Sequence, residues 1–541
     1  MTERLNKAEW AVGILVSLVV LSLHNINATS AGGLWRDEAN TVGLATLPSV
    51  SDTWNNLQYD SFPILWILIV RAVATTNGYL NDPAFRALGF CVGIGIIGAI
   101  WYYARALKSS VPLLSLALLA MQPALIRYGD SMRAYGLGIL TITVTAALIW
   151  QFVREPSVAR FVAVSVAAIV SVQSLYYNAV LLAALCGGAV AVCAFNRDWN
   201  KAVLVTLIGL LAAITLAPYL STLRGASDWV VTFRLPEYTV GRFLTKLETT
   251  LRMGGIGSVI AWTTAFVAAL ICGLVALRRP LRFNLSREQQ EVVLFNLVTL
   301  VLTVVGIFLF LKILSYPTEP WYYLSMLGLA GICIDSIFGA LLRRPVARMI
   351  RLGVVFILAG ATFLPARRVA RGLETNVDII ASRLDTAAQR GDLIVVSHWY
   401  EGVTFARYYH GDAGWLAIPQ IDVHRFHRYD LVMNQMRAAR QTEPVRPAVE
   451  GIERALRSGH HVYIVGFLNL PASGRSPTVL PPAPLPGNRW PIGTYENEWS
   501  TMVGDFLRQH ALTYTEIGVH PPSVYSIHEY VTLSTLSGWR P

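Results

Sequence analysis

Two adjacent carboxylates beside an arginine, in Leu34-Trp-Arg-Asp-Glu-Ala39, stand directly after the first long apolar run of the chain. Acids at a membrane boundary are costly unless they are paired or used, and a carboxylate held next to a hydroxyl can take its proton as that hydroxyl attacks. The competing reading of Arg36, Asp37 and Glu38 is a pair of solvated loop acids next to a headgroup-binding arginine. A second polar element, Tyr59-Asp-Ser-Phe-Pro63, contains Asp60 and leads into the apolar stretch Ile64 to Val70. A third, Asn81-Asp-Pro-Ala-Phe-Arg86, enters the next long apolar run. The fourth runs from Gln122 to Tyr135 and carries Arg127, Asp130 and Arg133 between two apolar runs, with almost no room for a solvated loop. Charges compressed at that depth pair or bind a ligand, and the planar fork of arginine suits bidentate contact with phosphate oxygens.

The elements that must position these residues are membrane spans. Of the 541 residues 54% are hydrophobic and 14% charged, against about 25% charged in an ordinary soluble chain, and the mean hydropathy is +0.48. This composition excludes a soluble globular enzyme, a disordered protein and a coiled coil. Apolar runs long enough to cross the hydrocarbon core predict eleven spans, near 10–29, 87–106, 111–127, 135–153, 161–176, 179–195, 202–220, 256–277, 292–314, 322–342 and 350–366. The first is read as a span rather than a signal peptide, because its charged flank is weak and it leads straight into the Asp37 loop. The segment Phe62 to Ala74 is short and interrupted by Arg71, and it is expected to lie in the interface or dip part-way into the bilayer.

With the N-terminus in the cytoplasm, the inner loops hold 16 basic and six acidic residues, as the positive-inside rule requires. The last part of the chain then lies outside. The first 371 residues carry 30 basic and 17 acidic residues, and the remainder 14 and 16. The basic balance therefore records membrane orientation, which removes the motive for nucleic-acid binding. The expected organisation is a membrane domain over residues 1–366, with a first outer loop at 30–86, and an extracytoplasmic α/β domain over 367–541. In the latter, 391–397 and 461–467 read as buried strands, 449–458 and 495–510 as helices, and 471–491 as a Pro- and Gly-rich loop, which suggests a mainly parallel sheet.

Other patterns carry less. The five cysteines (Cys91, Cys186, Cys193, Cys272 and Cys333) fall inside apolar runs with no paired spacing and read as small packing residues. Gly93-Ile-Gly-Ile-Ile-Gly98 matches a dinucleotide fingerprint but lies inside a span, where close helix packing explains it. Nine of ten histidines follow residue 372, including His424-x-x-His427, and without HExxH or a supporting cysteine they read as surface or fold residues rather than a metal site. The loop 221–255 interleaves Arg224, Arg234, Arg242, Lys246 and Arg252 with Trp229, Phe233, Tyr238 and Phe243, either as an amphipathic interfacial segment or as a lid.

The order of these elements resembles the GT-C superfamily of membrane glycosyltransferases, in the branch of protein O-mannosyltransferases and lipid A aminoarabinose and galacturonic acid transferases. The resemblance covers roughly residues 10–340. It rests on Asp-Glu in the first loop, Asp60 before a proline that opens a juxtamembrane helix, Arg86 entering the second span, and Tyr128-x-x-Ser-x-Arg-x-Tyr135. Ser61-Phe-Pro63 departs from the His-Pro-Pro frequent in relatives, and an arginine frequent before Tyr322 is missing. The resemblance implies a polytopic α-helical fold and an inverting hexosyl- or pentosyl-transfer from a polyprenyl-phosphate-linked sugar donor to an envelope glycan, lipid or protein acceptor outside the cytoplasmic membrane. It implies Asp37 as general base, Glu38 orienting it or binding a sugar hydroxyl, and Arg133 on the donor phosphate with Asp130 and Tyr135 nearby. Arg36, Asp60, Glu319 and Tyr322 are further substrate-binding candidates. Arginine can neutralise the departing phosphate, so no metal or other cofactor is obligatory. A transporter or lipid flippase, and a non-catalytic scaffold with a partner-binding tail, are the alternatives.

Overall fold

The computed structural model describes residues 2–108, 111–470, 477–519 and 529–541. Among these, nine helices are long and apolar enough to cross a membrane, from Glu3–Ser30 to Pro345–Ala370. They coincide with nine of the eleven expected spans, and the chain is a multi-pass membrane protein. A tenth segment, Val158–Ser174, is helical over 17 residues and packs against Tyr135–Arg154 and Trp199–Ile214.

The expected span 111–127 is not a continuous helix. A π turn at Ser115–Ala120 gives way to the short helix Pro123–Gly129, because Pro123 has no N–H to continue the ladder and is best placed in a first turn. Such a break survives in a membrane only where protein satisfies the freed groups. Here the Ser115 N–H donates to Asp335 at 3.1 Å, and the Trp262 indole donates to the Leu118 carbonyl at 3.2 Å. Helix Ile64–Asn77 has 14 residues, about 21 Å at 1.5 Å per residue, which is short of the hydrocarbon core.

The C-terminal part is a five-stranded sheet with β1 Leu393–Ser397, β2 Gly414–Ala417, β3 Val462–Gly466, β4 Ala511–Ile517 and β5 Leu533–Trp539, in the order β2-β1-β3-β5-β4. β1 pairs parallel with β2 and β3, whereas β5 runs antiparallel to both β3 and β4. The sheet is thus mixed, which corrects the mainly parallel expectation. The helices expected at 449–458 and 495–510 are Arg446–Arg457 and Ile492–His510. Of the expected loop 471–491, residues 471–476 lie outside the described residues.

This part sits on the membrane part through polar contacts that are buried or part-buried. Arg407 Nη2 donates to Asp82 at 2.5 Å, Tyr408 OH donates to Asp82 at 2.6 Å, and the same hydroxyl accepts the Leu34 N–H at 2.6 Å. Arg127 pairs with Glu374 at 3.0 Å. Closest of all is Gly43, where an added Cβ would stand 1.9 Å from the Arg425 carbonyl oxygen. Gly43→Ala must therefore push the two parts apart, and a cost of about 1–3 kcal/mol is expected for such overpacking. It should lower Tm in detergent and speed proteolysis within 372–541, whereas Gly353→Ala, whose Cβ meets nothing within 4 Å, should do neither.

Candidate active site

The helix Arg36–Ala45 begins three residues after a tight turn at Gly32 and Gly33. Its N-cap is Trp35, whose N–H donates to the Glu38 carboxylate at 3.3 Å. Glu38 is fully buried; its Oε1 also accepts from Arg86 Nη1 and from the Met132 N–H, both at 2.8 Å. Arg86 in turn donates to the Gly33 carbonyl at 2.6 Å. Consecutive helix residues point about 100° apart, so a Glu38 turned into this buried knot leaves Asp37 turned towards open space. Of the two expectations for Glu38, these contacts are those of a residue that orients the turn carrying Asp37; Glu38 does not line the cavity that Asp37 faces. Its oxygens are engaged by Arg86 and two backbone N–H groups, and it positions the helix turn.

Asp37 faces a cavity of about 310 Å³ whose lining also includes Arg36, Asp60, Arg133, Tyr135, Glu319 and Tyr322. Seven of the nine residues singled out from the sequence therefore meet in one place. Arg133 is held by Asp60 at 2.9 Å, by the Thr41 hydroxyl at 2.8 Å and by the Asp37 backbone carbonyl at 3.0 Å, with its guanidinium 4.4 Å from the centre of the Phe62 ring. Asp60 also accepts from Thr41 at 2.8 Å and from the Ser61 N–H at 2.7 Å. Glu319 is met by Lys246 at 3.2 Å. Asp37 is the least engaged of these acids, its nearest cation being Arg36 at 3.9 Å. Arg36 leans towards the C-terminal part, 4.5 Å from the Tyr400 ring centre and 3.4 Å from Glu401.

Asp130 is the other residue that lies elsewhere. It is buried against the first span, where His24 Nδ1 approaches it at 2.8 Å and the Asn27 amide donates at 3.4 Å. It fixes the loop that carries Arg133 but does not line the cavity, which corrects the expectation of substrate contact.

The sequence offers the 221–255 segment as a lid but singles out for the site none of the C-terminal residues that roof the cavity. Trp399, Tyr400, His427, Tyr429 and Glu496 from the C-terminal part face Trp229 and Phe233 of the 221–255 loop. Trp229 stacks on Tyr429 at 4.4 Å, and Trp399 meets Tyr429 edge-on at 5.2 Å. The Nε1 of Trp229 and the Nε2 of His427 are buried without a partner among the described residues. His427 belongs to the His-x-x-His pattern read as a surface or fold feature; no spacing signal links it to Glu496. Burial pushes His427 down to about 4, so it is neutral near pH 7. Burial also pushes Glu496 up to about 7, only partly offset by a 2.8 Å bond from the Trp399 indole. The site thus joins an acid with few partners, a buried arginine, a carboxyl that can hold its proton near neutrality, and aromatic faces suited to sugar rings.

No protein-family model matches the sequence, and no curated protein sequence matches it. Solved structures do match. ArnT from Cupriavidus metallidurans bound to undecaprenyl phosphate aligns over 84% of this chain and 92% of its own, at 13% identity and a TM-score of 0.50. An Archaeoglobus fulgidus oligosaccharyltransferase in complex with zinc and sulfate aligns over 84% and 67%, at 11% identity and a TM-score of 0.50. This likeness gives the chain a GT-C fold.

Glu496 offers a direct check on the electrostatics of the roof. In protein carrying ¹³C-labelled glutamate carboxyls, one resonance should titrate near 7, neutral below and charged above, and it should vanish in Glu496→Gln. With a folded-state pKa raised over the ordinary 4.5, the wild type should also lose stability relative to that variant as pH rises from about 4.5 towards 7.

Proposed function

We propose that the chain is an inverting membrane glycosyltransferase that moves a sugar from a polyprenyl-phosphate donor to an acceptor hydroxyl. The transfer takes place on the outer face of the cytoplasmic membrane, with the N-terminus inside and the sheet domain outside. The observation that carries this reading is the placement of Asp37, with its weakly engaged carboxylate, beside Arg133 in one cavity. In the proposed step the acceptor oxygen attacks the anomeric carbon, Asp37 takes the hydroxyl proton, and the bond from that carbon to the phosphate oxygen breaks. The lipid phosphate leaves against Arg133 and Tyr135. Preorganised charge of this kind acts strongly because the groups are fixed and dry. The capture of ArnT with undecaprenyl phosphate supports a polyprenyl-phosphate donor here. The roof of Trp399, Tyr400 and Tyr429 supports an acceptor with sugar character, as in an envelope glycan or glycolipid.

A second reading is a lipid transporter, favoured by one observation, the broken segment 111–129, since transporters place broken helices at their binding sites. In this chain the break is closed by Asp335 on the Ser115 N–H and the Trp262 indole on the Leu118 carbonyl, and residues 111–129 are not part of the cavity lining.

Purified protein incubated in detergent with a labelled polyprenyl-phosphate sugar and envelope extract separates the two readings, because only the enzyme forms a new glycosidic bond. Asp37→Asn should reduce transfer by about 10²–10⁴-fold, the usual share of a general base, while donor binding persists. Undiminished turnover in that variant would remove Asp37 from the role.

A further inference from the structure

The end of the helix bundle opposite the cavity carries a second concave site. Helix Thr2–Ser30, about 43 Å long at 1.5 Å per residue, leads from one to the other. A pocket of about 480 Å³ at the far end is lined by Glu9, Arg105, Lys108, Arg343, Arg348 and Arg351, together with Trp10 and Trp101. Five cations thus share a lining with one carboxylate. Glu9 is spent on two of them, Arg348 at 2.7 Å and Arg351 at 2.9 Å. Lys108 reaches only the edge of contact with Glu288, at 4.0 Å. Arg105 and Arg343 are exposed, and among the described residues neither has a carboxylate within ion-pair distance.

Exposed arginines at the ends of spans are ordinary; an adjoining groove is not. Trp10 and Trp101, stacked at 5.0 Å, also line an apolar groove of about 390 Å³ that continues along the outside of the bundle between Ile14, Leu18, Leu21, Ile94 and Gly98. Ile14, Leu18 and Ile94 are each more than 40% exposed, so this groove faces lipid. From Trp10 to Leu21 it runs about 17 Å, the depth of much of one acyl chain. A soluble phosphate would use the cations and leave the groove idle, whereas a zwitterionic lipid would use the groove and leave the cations unmatched.

We propose that pocket and groove together bind one anionic phospholipid, its phosphate among Arg105, Lys108 and Arg343 and one acyl chain along the Trp10–Leu21 face. The stacked indoles mark the boundary between headgroup and chain, where amphipathic rings are at home. The site is independent of the glycosyl-transfer reading and shares none of its residues.

Native mass spectrometry of the purified full chain tests it, with phosphatidylglycerol, phosphatidylcholine of the same chains, and inorganic phosphate as separate probes. The wild type should retain phosphatidylglycerol in preference to phosphatidylcholine. Arg105→Gln with Arg343→Gln should erode that preference by about fivefold for each arginine removed. Gly98→Leu fills the groove at a position where a Cβ meets nothing within 4 Å, and it should weaken retention of both lipids. Equal retention of the two lipids, retention unchanged in both variants, or displacement of phosphatidylglycerol by millimolar inorganic phosphate would overturn the proposal.

Discussion

Everything at the polar end of this molecule hangs on the buried pair of Glu38 and Arg86. Two charges taken out of water repay their desolvation only when every remaining donor and acceptor finds a partner. Glu38 does so with the Met132 and Trp35 N–H groups, and Arg86 with the carbonyls of Gly32 and Gly33. The pair therefore ties three separate stretches of chain at one point: the turn after the first span, the start of the second, and the loop that carries Arg133. Removing either partner would strand the other charge in the interior. The same pair sets the rotation of helix Arg36–Ala45, and through that rotation it decides which of two neighbouring acids meets the cavity.

The C-terminal part then completes what the membrane part begins. Its sheet contributes no acid or arginine to the floor of the cavity, yet Trp399, Tyr400, His427, Tyr429 and Glu496 all reach it from loops and helix ends. The junction allows this because Gly43 lets the Arg425 backbone come close, while the His427 N–H donates to Asn40 at 2.7 Å. His427 is thus held by its own main chain to the same helix that presents Asp37. Movement of the sheet relative to the bundle would move the roof relative to Asp37, so rigid docking is a condition of any chemistry there.

Hydropathy made nine spans legible because a lipid-facing helix must be apolar over its whole length. It failed at 111–127 for a physical reason. A segment buried wholly within protein is apolar whether or not it is helical, and Pro123 was the one residue that announced the break. The acids and arginines at one end were legible as a set, since charge near lipid demands explanation. Their division into cavity and knot was not, because Asp37 and Glu38, or Arg127, Asp130 and Arg133, differ only in which long-range partner each finds. His24 shows the same limit. Nothing near residue 24 in sequence reveals that its ring will meet Asp130 at 2.8 Å. The mixed sheet was missed because β4 and β5, Ala511–Ile517 and Leu533–Trp539, are rich in Ser and Thr and lack the continuous apolar run that marked β1 and β3.

The two ends of the bundle treat charge differently, and the contrast bears on Asp37. At the far end Arg348 and Arg351 close on buried Glu9, while Arg105, Lys108 and Arg343 stay exposed, where an unpaired cation costs little. At the cavity end the charges are drawn into the interior and paired: Arg86 with Glu38, Arg127 with Glu374, Arg133 with Asp60, Arg407 with Asp82. Burial enforces that pairing, because an isolated interior charge is far more expensive than a satisfied one. Against this background, Asp37 stands farther from its cation, 3.9 Å, than Asp60 or Glu319 in the same cavity. Such an acid keeps lone pairs free to accept a proton, which a carboxylate already filled by arginine and backbone donors cannot do.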